Sequence, residues 1–332
     1  MHLFSTQNPQ RRALLQAAGT AALAAAVLPA RAEPAWPAKP LRLLAPFSPG
    51  GPGDEDCRAI ADLLGRQLGQ PAVVDNKAGA GGIIAATVLT QSPPDGYTLM
   101  GGANGVLING LIRSKLSYKP ADIVPVSGVL GTPSTILVDP RLKVGSLKEL
   151  QAYARSRPEG IFFATTGIGS TSHFAGEIIK ATLGIPLTFV QYKSGGESAA
   201  ALLGGQVQML SEVPSPNVVA HVTAGKMRAI AVAGAQRLPR LPQVPTTAEA
   251  GFPEIRMTHW LGIFGNRGTP DAILDRINAV IQAGIVTPEF RAFLALKNAE
   301  PMVGPRADFA RFMETEGVRL GRIAKELNIA AD

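Results

Sequence analysis

Short apolar runs alternate along this chain with segments whose apolar residues recur every three or four positions, and glycine or proline marks most of the joints. "LRLLAPF" from Leu41 reads as a strand, and Asp54 to Leu68 as a helix, because Ile60, Leu63, Leu64 and Leu68 share one face. The pair recurs as "AVVD" (72–75) with "AGAGGIIAATVLTQ", and as "YTLMGG" (97–102) with "ANGVLINGLI". Two extended runs, "VPVSGVLG" and "STILVDP", then follow one another with no helix between them. The rhythm resumes through "SLKELQAYARSR", "IFFA", "FAGEIIKATLG", "LTFVQY", "ESAAALLGG", "VQMLS" and "RAIAVAG". Beyond Pro239, Pro242 and Pro245, "THWLGIFG" reads as a returning strand, and helices are expected over 270–285, 288–296 and 306–327.

Such alternation predicts an α/β protein with parallel sheets covered by helices on both faces, because parallel neighbours need crossovers long enough to be helical. The paired extended runs near residue 132 and the strand at 258–265 are expected to cross between two bodies. The first would comprise 33–132 plus 254–332 and the second 133–253. Two lobes joined by two crossover hinge segments place the site in the central cleft between them.

The N-terminus is set apart. Arg11 and Arg12 precede an alanine-rich apolar stretch from Ala13 to Leu28, and Ala30-Arg31-Ala32 supplies small residues two apart, so residues 1–32 read as a cleaved export signal. The paired arginines raise the twin-arginine route beside the general secretory one. A retained anchor is the lesser reading, since the apolar run falls short of the roughly 20 residues a spanning helix needs. The expected compartment is the periplasm.

Composition narrows the function. Of 332 residues, 46% are hydrophobic and 17% charged, which suits a well-packed core. The signal carries three of the 32 basic residues and none of the 25 acidic ones, leaving a net charge of +4. With no run of Lys or Arg, nucleic-acid binding has no support, whereas a weakly positive field suits a small anion. Cys57 is the only cysteine, so no intramolecular disulfide can form, and a buried place on its helix is expected.

Two strand-to-helix loops are rich in donors. Pro49, Gly50 and Gly51 lead into Asp54, and Thr165–His173 includes Thr166, Gly167, Gly169, Ser170 and Thr171. Glycine lets backbone N–H groups approach a ligand, and a helix N-terminus favours an anion by roughly 0.3–1 kcal/mol. One such loop per lobe would hold a carboxylate or dicarboxylate. Asp54 is expected to cap its helix or to meet a ligand amino group. Asn104 donates to ligand or holds a turn, and His173 bonds a carboxylate or caps its own helix.

Catalytic and metal signatures do not assemble. "GAGG" at 79–82 lacks the full dinucleotide fingerprint, and neither a phosphate-binding G-x-x-x-x-G-K-[ST] loop nor a G-x-S-x-G elbow occurs. His173, His221 and His259 are dispersed without metal-ligand spacing. No catalytic residue, metal or cofactor is therefore expected. The rival class is a secreted hydrolase or transferase using the same cleft.

The motifs "WPAKPLRLLAPFSPGG", "GQPAVVDNKAGAGG", "PPDGYTLMGG", "TTGIGSTSHFAGE", "ALLGGQVQML", "AGKMRAIAV", "LPQVPTTAEAGFPE" and "HWLGIFGNRGTPDAILDRIN" are collinear over nearly all of the mature chain. Together they resemble the Bug-type (TctC-like) periplasmic solute-binding receptors of tripartite tricarboxylate transporters. That resemblance implies a type II periplasmic-binding fold closing on a di- or tricarboxylate, amino acid or aromatic acid, without catalysis. It also implies the membrane components of such a transporter as partners, or else a sensor, and a monomer. On it the ligand contacts extend to Ser48, Tyr192 and Glu212. Three positions differ from the family's habit: Pro52-Gly53 where small hydroxylated residues are frequent, Ser194 where glycine is usual, and Ser211-Glu212 where an aspartate is common.

Overall fold

The computed structural model describes residues 36–157 and 159–331, so the expected signal at 1–32 lies outside the described residues. From Lys39 onward the chain forms one compact unit built on two sheets. Strand β1 (Leu41–Ala45) lies between parallel neighbours, and its Leu43, Leu44 and Ala45 are buried. A run buried on both faces is why the sequence is apolar there without alternating. Helix α1 (Pro52–Leu68) follows, starting with Pro52 in the first turn, where a missing N–H costs nothing. It ends on Gly69, whose φ of 71° closes the last turn. Its buried stripe includes Ile60, Leu64 and Cys57, and burial pushes the Cys57 thiol far above its usual pKa, leaving it inert.

β2 (Ala72–Asn76), α2 (Ile83–Gln91), β3 (Thr98–Gly102) and α3 (Gly105–Ile112) continue the alternation. β4 (Ile123–Pro133) then runs out of the first sheet and, after Ser134, continues as β5 (Thr135–Val138) in the second. The second lobe adds α4 (Leu147–Arg155), β6 (Ile161–Thr165), α5 (Thr171–Leu183), β7 (Leu187–Gln191), α6 (Gly195–Gly204) and β8 (Met209–Glu212). α7 (Pro216–Thr223) and β9 (Arg228–Val232) complete it. β10 (Thr258–Asn266) returns to the first sheet, followed by α8 (Asp271–Ile285), α9 (Pro288–Leu296), β11 (Glu300–Pro301) and α10 (Arg306–Glu326).

The strand orders are β11-β4-β10-β3-β1-β2 and β7-β6-β8-β5-β9. The sheets are mixed rather than wholly parallel. β10 pairs antiparallel with β3 and β4, and β5 pairs antiparallel with β8 and β9. The strands that carry the chain between lobes are the ones that break the parallel rule, because each continues into the other sheet instead of returning through a helix. α7 was not anticipated, although Ser215 as N-cap and Pro216 behind it are a start signal. The β-branched run of Val218, Val219 and Val222 obscured it.

The crossings are tied together. The Ser134 N–H donates to the Met257 carbonyl (2.9 Å) and the Ala233 N–H to the Ser134 carbonyl (2.8 Å). Ser134 Oγ and His259 Nε2 lie 2.7 Å apart, and burial pushes the His259 imidazole down to about 4, so the ring is neutral. The Asn104 amide, fully buried, donates to the Thr258 carbonyl at 3.1 Å. Packed against β10, Trp260, Phe264, Phe309 and Phe312 form an aromatic cluster with ring centroids 5.6–6.3 Å apart.

Candidate ligand-binding cleft

Between the two sheets lies a cleft of about 540 Å³. Several helices begin on it, among them α1 behind Ser48 and Gly51, α5 behind Thr166, Gly169 and Ser170, α6 behind Lys193 and Ser194, and α7 behind Val213 and Ser215. Their first-turn N–H groups have no partner within the helix, so each presents donors and a positive dipole end to the same space.

The second-lobe loop is held by its own hydroxyls. Ser170 Oγ accepts the His173 N–H (3.1 Å) as N-cap of α5, and Ser172 Oγ accepts the Thr166 N–H (3.0 Å). Ser172 Oγ also lies 3.0 Å from Ser170 Oγ and 3.3 Å from Thr166 Oγ1. The helix begins at Thr171, earlier than periodicity suggested, so Thr171 and Ser172 occupy its first turn on the cleft. Gly169, at φ 82°, lies against α3: a Cβ there would come within 2.6 Å of Ile112 Cδ1.

The first-lobe loop is clamped from behind. Asp54 Oδ2 accepts from Gly50 N–H (2.9 Å) and Arg58 Nε (2.8 Å), while Oδ1 accepts from Asn76 Nδ2 (2.7 Å). Burial opposes the charge, but the bonds from Arg58, Asn76 and Gly50 outweigh it and hold the carboxyl below its ordinary range. Asp54 therefore neither caps its helix, a place taken by Gly51, nor lines the cleft. It fixes Gly50, at φ 75°, so that the loop holds its shape.

The sequence-named residues divide evenly. Ser48, Gly51, Thr166, Gly169, Ser170, Thr171 and Glu212 line the cleft. Pro49, Gly50, Asp54, Asn104, Gly167, His173 and Tyr192 are not among its lining. Pro49 and Gly50 turn outward into solvent. Asn104 pins the return crossing, and Tyr192 packs on the apolar cluster of the second lobe. His173 is buried against Phe189 (centroids 5.1 Å apart), with Nδ1 accepting from the Gly169 N–H at 3.5 Å. Its pKa is lowered by burial, which outweighs nearby Glu177 at 3.8 Å, so it closes the loop as a neutral ring and does not cap the helix.

Several lining residues were not among the expected ligand contacts. Ser194 caps α6, Ser215 caps α7, and His259 sits at the crossing. Lys297 is buried, and its ammonium donates to Asp56 Oδ1 (2.5 Å) and the Pro52 carbonyl (3.2 Å) and pairs with Glu55 Oε2 (3.1 Å). All three of its donors are engaged. Next to it, Asn298 donates from Nδ2 to the Pro214 carbonyl (3.0 Å), and the Arg240 guanidinium donates to the Leu296 carbonyl (2.7 Å). The turn after α9 thus bonds to the loop after β8, beside Glu212. Sequence distance hid this contact.

Glu212 closes the far wall. Its Oε1 accepts the Val213 N–H at 2.9 Å, and its Oε2 lies against Gly195, where a Cβ would displace the carboxylate. Burial pushes its carboxyl up to about 7. Among the described residues no three of His, Cys, Asp and Glu stand where they could hold a metal.

Comparison with known proteins agrees over this whole span. Residues 57–329 match the model described as "Tripartite tricarboxylate transporter family receptor". The chain is 33% identical over 294 residues to Protein BugT of Bordetella pertussis, covering 88% of this chain and 90% of that one. Among solved structures, R. palustris Rpa4515 with adipate is 34% identical with a TM-score of 0.83, covering 89% of this chain and 99% of that one. MatC from Rhodopseudomonas palustris with bound malate is 29% identical with a TM-score of 0.80, covering 87% and 99%.

Proposed function

Since this chain belongs to the tripartite tricarboxylate transporter receptor family, and so is a solute-binding protein rather than an enzyme, we propose that it captures a small organic carboxylate between its lobes and delivers it to the membrane components of a tripartite transporter. The observation that carries this reading is the convergence of the N-termini of α1, α5, α6 and α7 and the Thr166–Ser172 hydroxyls on one cleft. Capped helix starts offer N–H groups that only an acceptor can satisfy, and an anion gains the dipole as well. Adipate and malate in the two structural relatives are acids of this kind.

On this reading 33–132 with 254–332 moves as one domain and 133–253 as the other, about the crossings at Ser134 and at 233–257. A ligand touching both lobes stabilises the closed form by its differential affinity for it. The mature chain works as a monomer in the periplasm, after removal of residues 1–32 by the general or the twin-arginine route. Thermal unfolding of residues 33–332 across a panel of carboxylic acids tests the reading. An acid at about a hundred times its Kd should stabilise by roughly 2.7 kcal/mol. Recovery of the acid unchanged supports a receptor; its consumption would contradict one.

A further inference from the structure

β6 and β8 are parallel neighbours in the second sheet, with Ala164 opposite Leu210, so Thr166 and Glu212 leave it side by side at the same end. The Glu212 side chain lines the cleft there, beside the Thr166–Ser172 loop and the starts of α6 and α7. It is the one acid of the second-lobe wall among the described residues. Oε1 accepts the Val213 N–H, whereas Oε2 lies against Gly195 and accepts no hydrogen bond among the described residues. The charged groups around it do not compensate it. Lys193 and Glu197 stand at the start of α6, where Glu197 Oε2 accepts the Lys193 backbone N–H, and neither side chain pairs with Glu212. β5 sets the uncharged Thr135 opposite it. Across the cleft are His259, neutral beside Ser134 Oγ, and Lys297, held by Asp56, Glu55 and the Pro52 carbonyl. Arg240 is held on the Leu296 carbonyl.

Resting on the receptor reading above, we propose that Glu212 recognises the ligand as a carboxylic acid: a carboxylate bound at the Thr166–Ser172 loop brings one proton from solvent onto Glu212 Oε2, and that O–H donates to a ligand oxygen. In the empty cleft water solvates Oε2. A ligand displaces that water and sets a second anion beside it, and two carboxylates in one water-poor site do not both stay ionised. One proton held between them removes the repulsion and makes a charge-assisted O–H···O⁻ bond, stronger than a neutral one. Burial already raises the Glu212 carboxyl to about 7, so near neutrality the proton is gained at little cost. Capture therefore strengthens on the acidic side of neutrality.

Calorimetric titration of the mature chain with malate, citrate, adipate, benzoate and glutamate, from about pH 6 to about pH 8.5 and in two buffers of different ionisation heat, tests it. The dependence of the heat on buffer should show close to one proton taken up per ligand at about pH 8, and almost none at about pH 6, where Glu212 already holds it. Affinity should be level near pH 6 and fall by about tenfold per pH unit above about 7. Glu212→Gln, which offers an N–H donor at every pH, should take up no proton, bind almost independently of pH and exceed the native chain by about tenfold at the alkaline end. A merely structural role for Glu212 predicts no such gain. Binding without proton uptake at about pH 8 would overturn the proposal and leave the receptor reading intact: a ligand ammonium meeting ionised Glu212, or Lys193 turned onto it, gives that result. Silence from every acid, with both proteins, would contradict the receptor reading and the proposal with it.

Discussion

The two walls of the cleft are built on opposite principles. On the second lobe the ligand-facing groups are helix caps: Ser170, Ser194 and Ser215 each accept an N–H from the first turn of their own helix. Their neighbours present donors, and little core depends on them. On the first lobe, beside the start of α1, much of the wall is the side of a hydrophobic core, where Met100 and Trp260 pack with Phe264 and Phe309 as well as lining the cleft. Damage to the first wall should therefore register as lost stability, and damage to the second as lost binding.

The largest effect expected from this contrast is at Trp260. Trp260→Ala removes the centre of the aromatic cluster and should cost about 3–5 kcal/mol in denaturant unfolding, whatever the ligand. A loss below about 1 kcal/mol would mean that the wall is not core. Next is the contact outside both walls. Asn298 has a positive φ of 51°, so Asn298→Gly keeps the backbone comfortable while removing the bond to the Pro214 carbonyl. It should cost about 1–3 kcal/mol and widen the ligand-free molecule in small-angle scattering. An unchanged scattering profile would argue that the turn after α9 does not restrain the lobes.

Ser170→Ala should cost only about 1 kcal/mol, the usual worth of an N-cap, yet weaken carboxylate binding by tenfold or more. Equal losses in both would erase the distinction between the walls. A separate effect is in pH. Glu212 has its folded pKa raised from 4.5 to about 7, so the folded state holds the extra proton and the acid's contribution to stability declines as pH rises from about 4.5 through 7. His259 is lowered from 6.5 to about 4, so its contribution is lost as pH falls from about 6.5 through 4. The two slopes oppose one another below about 6.5. Glu212→Gln should abolish the decline near neutrality in a series of melting curves, and an unaltered curve would place the titration elsewhere.

Much of the architecture was legible in the sequence, because it rests on local signals. The strand-helix alternation, the paired extended runs and the return at "THWLGIFG" correspond to β1 through α3, to β4 and β5, and to β10. Glycine turns marked the loops, and hydroxyls marked the second-lobe wall. The residues misplaced by sequence are those whose partners lie elsewhere in the chain. Asp54 read as a cap or a ligand contact but bonds Asn76, Asn104 read as a ligand donor or a turn residue but holds Thr258, and His173 read as a carboxylate partner or a cap but packs edge-on against Phe189. Lys297 and Asn298, more than two hundred and eighty residues into the chain, carried no pattern at all. A side chain's direction is set by packing, which periodicity does not encode.

The most direct test is a crystal structure of the mature chain with the tightest-binding acid of the panel. The carboxylate should lie about 2.7–3.1 Å from donors of the Thr166–Ser172 loop, with the remainder of the ligand in contact with both lobes. A ligand bound through one lobe alone, or with no acceptor at the Thr166–Ser172 loop, would contradict the division of labour described above.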